Sequence, residues 1–356
     1  MTNLFDAYRL GDLRLPNRVV MAPMTRVRAT ADGLATPSMA IYYAQRATAG
    51  LIVSEGVQPS LIGQSNPGTP GLHTDEQVAA WRPVTAAVHA NGGRIFAQLM
   101  HGGRVSHPDT TGMQPVGPSA VPAVGDVFTP TGPRPAPTPR ALDTAEVPEH
   151  VQSYARAARR AIDAGFDGVE LHGANGYLIH QFLADGSNVR NDGYGGSVEN
   201  RIRFAVEVAQ AVSDAIGPER VGIRLSPGNT ANGISESDPA GLYRALIRAL
   251  APYNLAYVHL MEFGHREVTE AIREEWPGTL ILNPHATGEE ERVTPEVAVE
   301  VLRAGLADAV SLASLWLANP DLPARIKAGG PYNEPDPSTF YGGDHRGYTD
   351  YPTLDG

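Results

Sequence analysis

Eight short apolar runs, each followed by a longer amphipathic stretch, repeat along this chain, and so strict an alternation leaves few folds open. The runs fall at 18–22, 51–55, 94–99, 168–172, 221–226, 257–260, 279–283 and 309–312. The stretches with helical period fall at 38–49, 75–91, 147–164, 198–216, 238–250, 266–275, 294–304 and 320–328. Thr74-Asp75 and Ser237-Asp238-Pro239 supply helix starts, and Gly165, Gly217 and Gly305 stand where helices end. Parallel strands need a crossover of about a dozen residues, which a helix provides. Eight such units predict a closed (β/α)8 TIM barrel of the α/β class rather than an open doubly wound sheet. Residues 102–146, crowded with prolines from Pro108 to Pro139, do not fit the pattern. Cutting the chain there would leave three strands and five, neither set able to close. The segment is therefore expected as a lid-like excursion after strand 3, within one barrel domain spanning 1–356.

Composition narrows the chemistry. The absence of cysteine removes disulfides, thiolate nucleophiles and Cys-ligated metals together, so redox work would need a bound cofactor. Lys327 is the only lysine among 28 basic residues and lies near the C-terminus, which argues against Schiff-base chemistry. A net charge of −11 without a basic stripe makes nucleic acid and anionic membranes poor partners. With 42% hydrophobic residues, a mean hydropathy of −0.22 and no long apolar run, the chain is expected to be soluble and, by default, cytoplasmic. A small molecule is the expected partner, and the sequence leaves monomer and homodimer open.

Barrel enzymes carry their chemistry at the C-terminal ends of the strands. The residues presented there are Pro23-Met24-Thr25-Arg26, Glu55-Gly56, Gln98 to His101, His172 to Tyr177, Arg224, His259, Asn283-Pro284-His285 and Ser311 to Ser314. Thr25, Gln98 and Arg224 offer a hydroxyl, a carboxamide and a guanidinium from three strands, suited to the edge of a flat polar heterocycle. Each alone is an ordinary polar strand end. His172 and Asn175 are three apart and can both donate to one oxygen, as a developing oxyanion requires. Tyr177 follows with a transferable proton.

Longer motifs make the pattern specific. Ala22-Pro-Met-Thr-Arg26, Gln98-Leu-Met-His-Gly-Gly-Arg104, the run from Glu170 through His-Gly-Ala-Asn-Gly-Tyr to Leu183, Tyr194-Gly-Gly-Ser-Val-Glu-Asn-Arg201, Gly222-Ile-Arg-Leu-Ser226 and the tail from Phe340-Tyr-Gly-Gly to Pro352 together resemble the old yellow enzyme family of flavin-dependent ene-reductases. The resemblance covers essentially the whole chain. It implies an α/β barrel holding FMN at its mouth, reduced by NAD(P)H and passing hydride to the β-carbon of an activated alkene. By matching position it places Pro23, Thr25, Gly56, Gln98, Arg224 and Ser314 at the cofactor. It gives His172 and Asn175 the substrate carbonyl or nitro oxygen, makes Tyr177 the proton donor, and puts Tyr341 in the substrate pocket beside Asn66 and Met100. No metal site is implied.

This sequence departs from the family at one place. The family meets the FMN phosphate with a Gly-rich turn after strand seven and a Gly-Arg pair after strand eight. Here strand seven ends in Asn283-Pro284-His285 and runs on through Glu289, Glu290, Glu291 and Arg292, while Ser314 stands where the arginine is expected. His285, Arg292 and Ser314 are the candidates to compensate. Asn66 and Met100 occupy positions where relatives commonly carry aromatics. Three readings follow: an ene-reductase with weakly held FMN, the same ring site loaded with a deazaflavin, or a flavin-free barrel doing redox-neutral work or binding a ligand. A metal hydrolase built on His172, His259 and His285 ranks well below these.

Overall fold

The computed structural model describes residues 3–288 and 293–355. Its centre is a closed barrel of eight parallel strands: β1 (Val19–Met21), β2 (Leu51–Val57), β3 (Ile95–Leu99), β4 (Gly168–Gly173), β5 (Val221–Leu225), β6 (Tyr257–Met261), β7 (Thr279–Asn283) and β8 (Ala309–Leu312), with β8 pairing back onto β1. All eight expected runs are these strands. Helices join successive strands, among them Asp75–Ala90, Val147–Asp163 and Val198–Ile216. Thr74 caps the first of these by accepting from the Gln77 amide, and Gly165, Gly217 and Gly305 each take positive φ just past a helix end.

The strands are apolar on both faces because both are covered. Outward residues such as Val19, Met21 and Ile52 join the layer beneath the helices. Inward residues Val20, Leu51, Val53, Phe96, Tyr257 and Ile281 fill the barrel's lower half. An N-terminal hairpin, Tyr8–Leu10 with Leu13–Leu15, adds Leu10 and Leu15 to that inner layer, and the Tyr8 hydroxyl meets Thr279 Oγ1 at 2.8 Å. The sequence predicts no strand here, because Arg9 and Arg14 interrupt Tyr8–Leu10 and Leu13–Leu15 and leave no continuous apolar run.

Glycine makes the inner layer possible. Gly222 on β5 stands beside Tyr257 on β6, and a Cβ there would lie 2.2 Å from the Tyr257 ring. Gly222→Ala is therefore expected to cost about 1–3 kcal/mol by overpacking. Thermal unfolding should show a midpoint roughly 2 to 10 °C lower; an unchanged midpoint would mean that Tyr257 swings aside without penalty.

Between β3 and the helix Val147–Asp163 the proline-rich excursion has its own small elements. Val116–Gly117 pairs in parallel with Arg140–Ala141, and Asp126–Thr129 forms an antiparallel hairpin with Gly132–Pro135. Val127 of that hairpin packs with Val105 and Ala123, and Tyr177 lies against this cluster. A six-residue helix, Leu178–Leu183, directly follows the β4 turn and was also absent from the sequence reading. No helix among the described residues is long and apolar enough to cross a membrane.

Candidate active site

Strand register sets the floor of the site. Gln98 pairs with Glu170, and His172, Arg224 and His259 stand side by side on β4, β5 and β6. Period-two alternation then turns Glu170 and His172 to the same face, one layer apart. Glu170 is fully buried and accepts from Gln98 Nε2 at 2.9 Å, the Tyr257 hydroxyl at 3.1 Å and His259 Nδ1 at 2.8 Å. Burial works to raise its pKa. His259, Arg224 and the Gln98 hydrogen bond outweigh that and hold the carboxyl below its usual range. Burial lowers the pKa of His259 against the pull of Glu170; its Nδ1 donates to that carboxylate and its Nε2 lies 2.7 Å from Ser311 Oγ. Arg224 donates Nη2 to Asn283 Oδ1 at 3.1 Å and keeps a buried Nε with no protein partner.

Above this floor lies a cavity of about 590 Å³, within the range of small-molecule and cofactor sites. Pro23, Thr25, Gln98 and Arg224 line it, as do His172, Asn175 and Tyr177, and Asn66, Met100, Ser314 and Tyr341 complete the expected set. Gly56 is the exception. Met100 covers it, and a Cβ at 56 would come within 2.6 Å of the Met100 sulfur, so this glycine makes room for a wall residue and does not itself face the cavity.

His172 is buried, and desolvation, reinforced by Arg224, lowers its pKa well below the ordinary value. It is a neutral imidazole whose Nδ1 has no protein partner. Asn175 is held from three sides: its amide N–H donates to Ser226 Oγ at 2.9 Å, its carbonyl accepts from Asn232 Nδ2 at 2.8 Å, and its Oδ1 accepts from Asn229 Nδ2 at 3.2 Å. Its side-chain Nδ2 donor is thereby left for a ligand. Asn175 takes φ 54°, a left-handed conformation that asparagine tolerates better than most residues. The Tyr177 ring lies 4.9 Å from the His172 ring, and burial followed by Tyr341 pushes its pKa up to about 12.

Two aromatics stand at the mouth. Phe128 at the tip of the excursion hairpin stacks on Tyr341 at 6.4 Å, and they remain 57% and 66% exposed. Arg26 and Arg28 fix the tail that carries Tyr341. Arg26 donates to the carbonyls of Phe340 and Gly347, and Arg28 to that of Thr339, while its guanidinium covers the Tyr348 ring at 4.2 Å. In the sequence Arg26 stands only as part of the Ala22–Arg26 motif, and Phe128 carries no signal of its own. Nothing local marks either, since their partners are far away in the chain.

A flavin ring fits this donor set. Thr25, Gln98 and the unpartnered Arg224 Nε offer polar contacts from three strands, with Pro23 alongside. The far end is different. Barrels commonly seat phosphate in the loops after strands seven and eight. Here Pro284 has no N–H, and the His285 amide N–H is donated to Glu262 Oε2 at 3.1 Å. Ala313, Ser314 and Leu317 form the cavity wall there. His285 is not a lining residue; of the lining arginines, Arg26 is held by the tail carbonyls and Arg224 is the ring-end donor. Glu289, Glu290, Glu291 and Arg292 lie outside the described residues. Among the described residues, Ala313, Ser314 and Leu317 bring no cationic side chain to this end.

Residues 3–333 match the model of the NADH:flavin oxidoreductase / NADH oxidase family. The rice (Oryza sativa subsp. japonica) protein 12-oxophytodienoate reductase 1 is 42% identical over 365 residues, covering 99% of this chain and 93% of its own. A probable flavin mononucleotide-dependent alkene reductase of Leishmania infantum is 44% identical over 356 residues, covering 97% and 96%. Among solved structures, an old yellow enzyme homologue from Zymomonas mobilis superposes with a TM-score of 0.95 at 42% identity, over 99% of each chain. Morphinone reductase in complex with tetrahydroNAD gives 0.94 at 46% identity, over 100% of this chain and 98% of that one.

Proposed function

This chain belongs to the NADH:flavin oxidoreductase / NADH oxidase family, in its old yellow enzyme group, and from that membership we propose that it reduces enones or nitroalkenes with an NADH-type reductant and FMN. One observation carries the reading: Thr25, Gln98 and Arg224 on one side and His172, Asn175 and Tyr177 on the other line the same cavity. Thr25, Gln98 and Arg224 would hold a flavin there, and the chemistry it would supply is hydride transfer between the nicotinamide and the alkene's β-carbon.

The protein's part is to hold the substrate and balance charge. His172, as a neutral imidazole, and Asn175 Nδ2 donate to the carbonyl or nitro oxygen. Charge builds on that oxygen as hydride arrives, so these bonds strengthen in the transition state. Glu170 keeps Gln98 oriented, and Asn283 does the same for Arg224. The Tyr177 hydroxyl transfers its proton to the α-carbon, forming the second C–H bond, and recovers a proton from solvent. The excursion hairpin, packed beside Tyr177 with Phe128 against Tyr341, acts as the lid that limits water at the mouth.

The test is direct. Purified protein should show a flavin absorbance band, lose it on anaerobic addition of NADH, and regain it with cyclohexenone or a nitrostyrene. A band that no activated alkene restores would overturn the reading. A protein with no band, even after incubation with flavin, would return the weight to redox-neutral chemistry or simple binding.

Cofactor affinity should show the altered phosphate end. A missing charge-assisted contact forfeits about 1.5–3 kcal/mol, or roughly ten- to a hundred-fold in affinity. Fluorescence titration of flavin-stripped protein should therefore give FMN and riboflavin dissociation constants within about tenfold of each other. FMN binding at least about a hundred-fold tighter than riboflavin would mean that another group has taken over the phosphate.

A further inference from the structure

The turn that carries Asn175 and Tyr177 is gripped by a buried pair that does not line the cavity. Gly176 lies between those residues with φ 80°, and a Cβ there would come within 2.7 Å of the Ala231 carbonyl. Its peptide groups are read by two neighbouring side chains of the helix Leu178–Leu183. His180 Nδ1 accepts the Gly176 N–H at 3.1 Å, and Gln181 Nε2 donates to the Gly176 carbonyl at 2.7 Å. Because Nδ1 accepts, the imidazole proton sits on Nε2, 3.0 Å from Glu236 Oε1. Glu236 is in turn fixed by the Tyr243 hydroxyl at 2.9 Å and by the Gly228 N–H, on its other oxygen, at 2.8 Å. His180 and Glu236 are almost wholly excluded from solvent, with side chains 0% and 2% exposed.

Glu236 stands in the segment after β5, the same segment that supplies Ser226, Asn229 and Asn232 to Asn175. The pair therefore ties the turn after β4 to the loop after β5. Resting on the reading of Asn175 and Tyr177 given above, we infer that His180, oriented by Glu236, is a positioning residue that sets where the substrate-oxygen donor and the proton donor stand relative to each other. A buried hydrogen bond contributes little net stability, because it replaces bonds to water, so a positioning task accounts for His180 better than stability does.

Two substitutions separate positioning from packing. His180→Asn can keep an acceptor near Nδ1 for Gly176 while giving up Glu236. His180→Gln can keep a donor near Nε2 for Glu236 while giving up Gly176. With flavin content and melting temperature measured alongside, His180→Gln should slow reoxidation by cyclohexenone at least about tenfold and weaken phenol binding similarly, as loss of about 1.4 kcal/mol of alignment would. It should leave reduction by NADH and reoxidation by a nitrostyrene within about threefold of the parent, a margin of about 0.65 kcal/mol. His180→Asn, which keeps the contact to Gly176 and gives up its tether to Glu236, should show a smaller loss of the same pattern, about threefold. Glu236→Gln, which retains an acceptor for His180, should show a smaller loss of the same pattern and substitutes for His180→Gln if that variant does not fold.

Equal losses in every step for both His180 variants, or parent-like enone rates and phenol affinity in His180→Gln, would overturn the inference. If the parent itself reduces no alkene, the functional reading has failed, and the phenol affinities of the same variants still decide whether His180 positions Asn175.

Discussion

Tyr177→Phe should leave reduction of the bound flavin by NADH unchanged and slow its reoxidation by an enone by roughly 10²- to 10⁴-fold, the range for losing a general acid. The substitution keeps the ring that packs 4.9 Å from His172 and against the hairpin cluster, and removes only the proton. Burial, with Tyr341, pushes the phenol to about 12, so the donor remains protonated across the neutral and mildly alkaline range. The parent's enone rate should therefore not fall for want of this proton below pH 11 or so. Nitroalkenes, whose anions can be protonated after release, should suffer least. Stopped-flow traces of the two half-reactions measure this, and equal enone reoxidation rates in mutant and parent would remove Tyr177 as the donor.

Replacing His172 and Asn175 together should abolish binding of phenols such as 4-hydroxybenzaldehyde while the flavin stays in place. Each residue offers one hydrogen bond to a charged or strongly polarised oxygen, worth about 1.5–3 kcal/mol, so the pair should cost roughly 10²- to 10⁴-fold in phenol affinity. Alanine at 175 would strain a backbone at φ 54°. His172→Ala with Asn175→Gly removes the same donors without that strain, and calorimetric titration should show the same loss. A double variant that sheds its flavin yet still binds phenol would exchange the two sub-sites.

The contrast between ring end and phosphate end bears on both experiments. Thr25, Gln98 and Arg224 offer side chains from three strands to a ring, and all line the cavity. The phosphate end depends on backbone N–H groups and a guanidinium, and here Pro284, the Glu262-bound His285 amide and Ser314 stand at that end.

The eight barrel strands were legible in the sequence because each is a local pattern: a run of Val, Ile and Leu long enough to show its period, bounded by turn residues. The site motifs were legible for the same reason, since His172, Asn175 and Tyr177 lie within six residues of one another and follow a strand. Tertiary structure alone decided what those residues can do. The Asn175 side-chain amide is oriented by Asn229 and its backbone carbonyl is held by Asn232, both from the next loop, and the charge beneath the site is set by Glu170, Tyr257 and His259 on strands whose register no local pattern specifies. The tail reaches the mouth because Arg26 binds the carbonyl of Phe340, 314 positions away. Closing the barrel fixes these distances at once, through hydrogen-bond ladders that pair residues by register rather than by sequence neighbourhood. Periodicity thus reports which face a side chain takes, and only the closed barrel brings those faces together around a shared cavity.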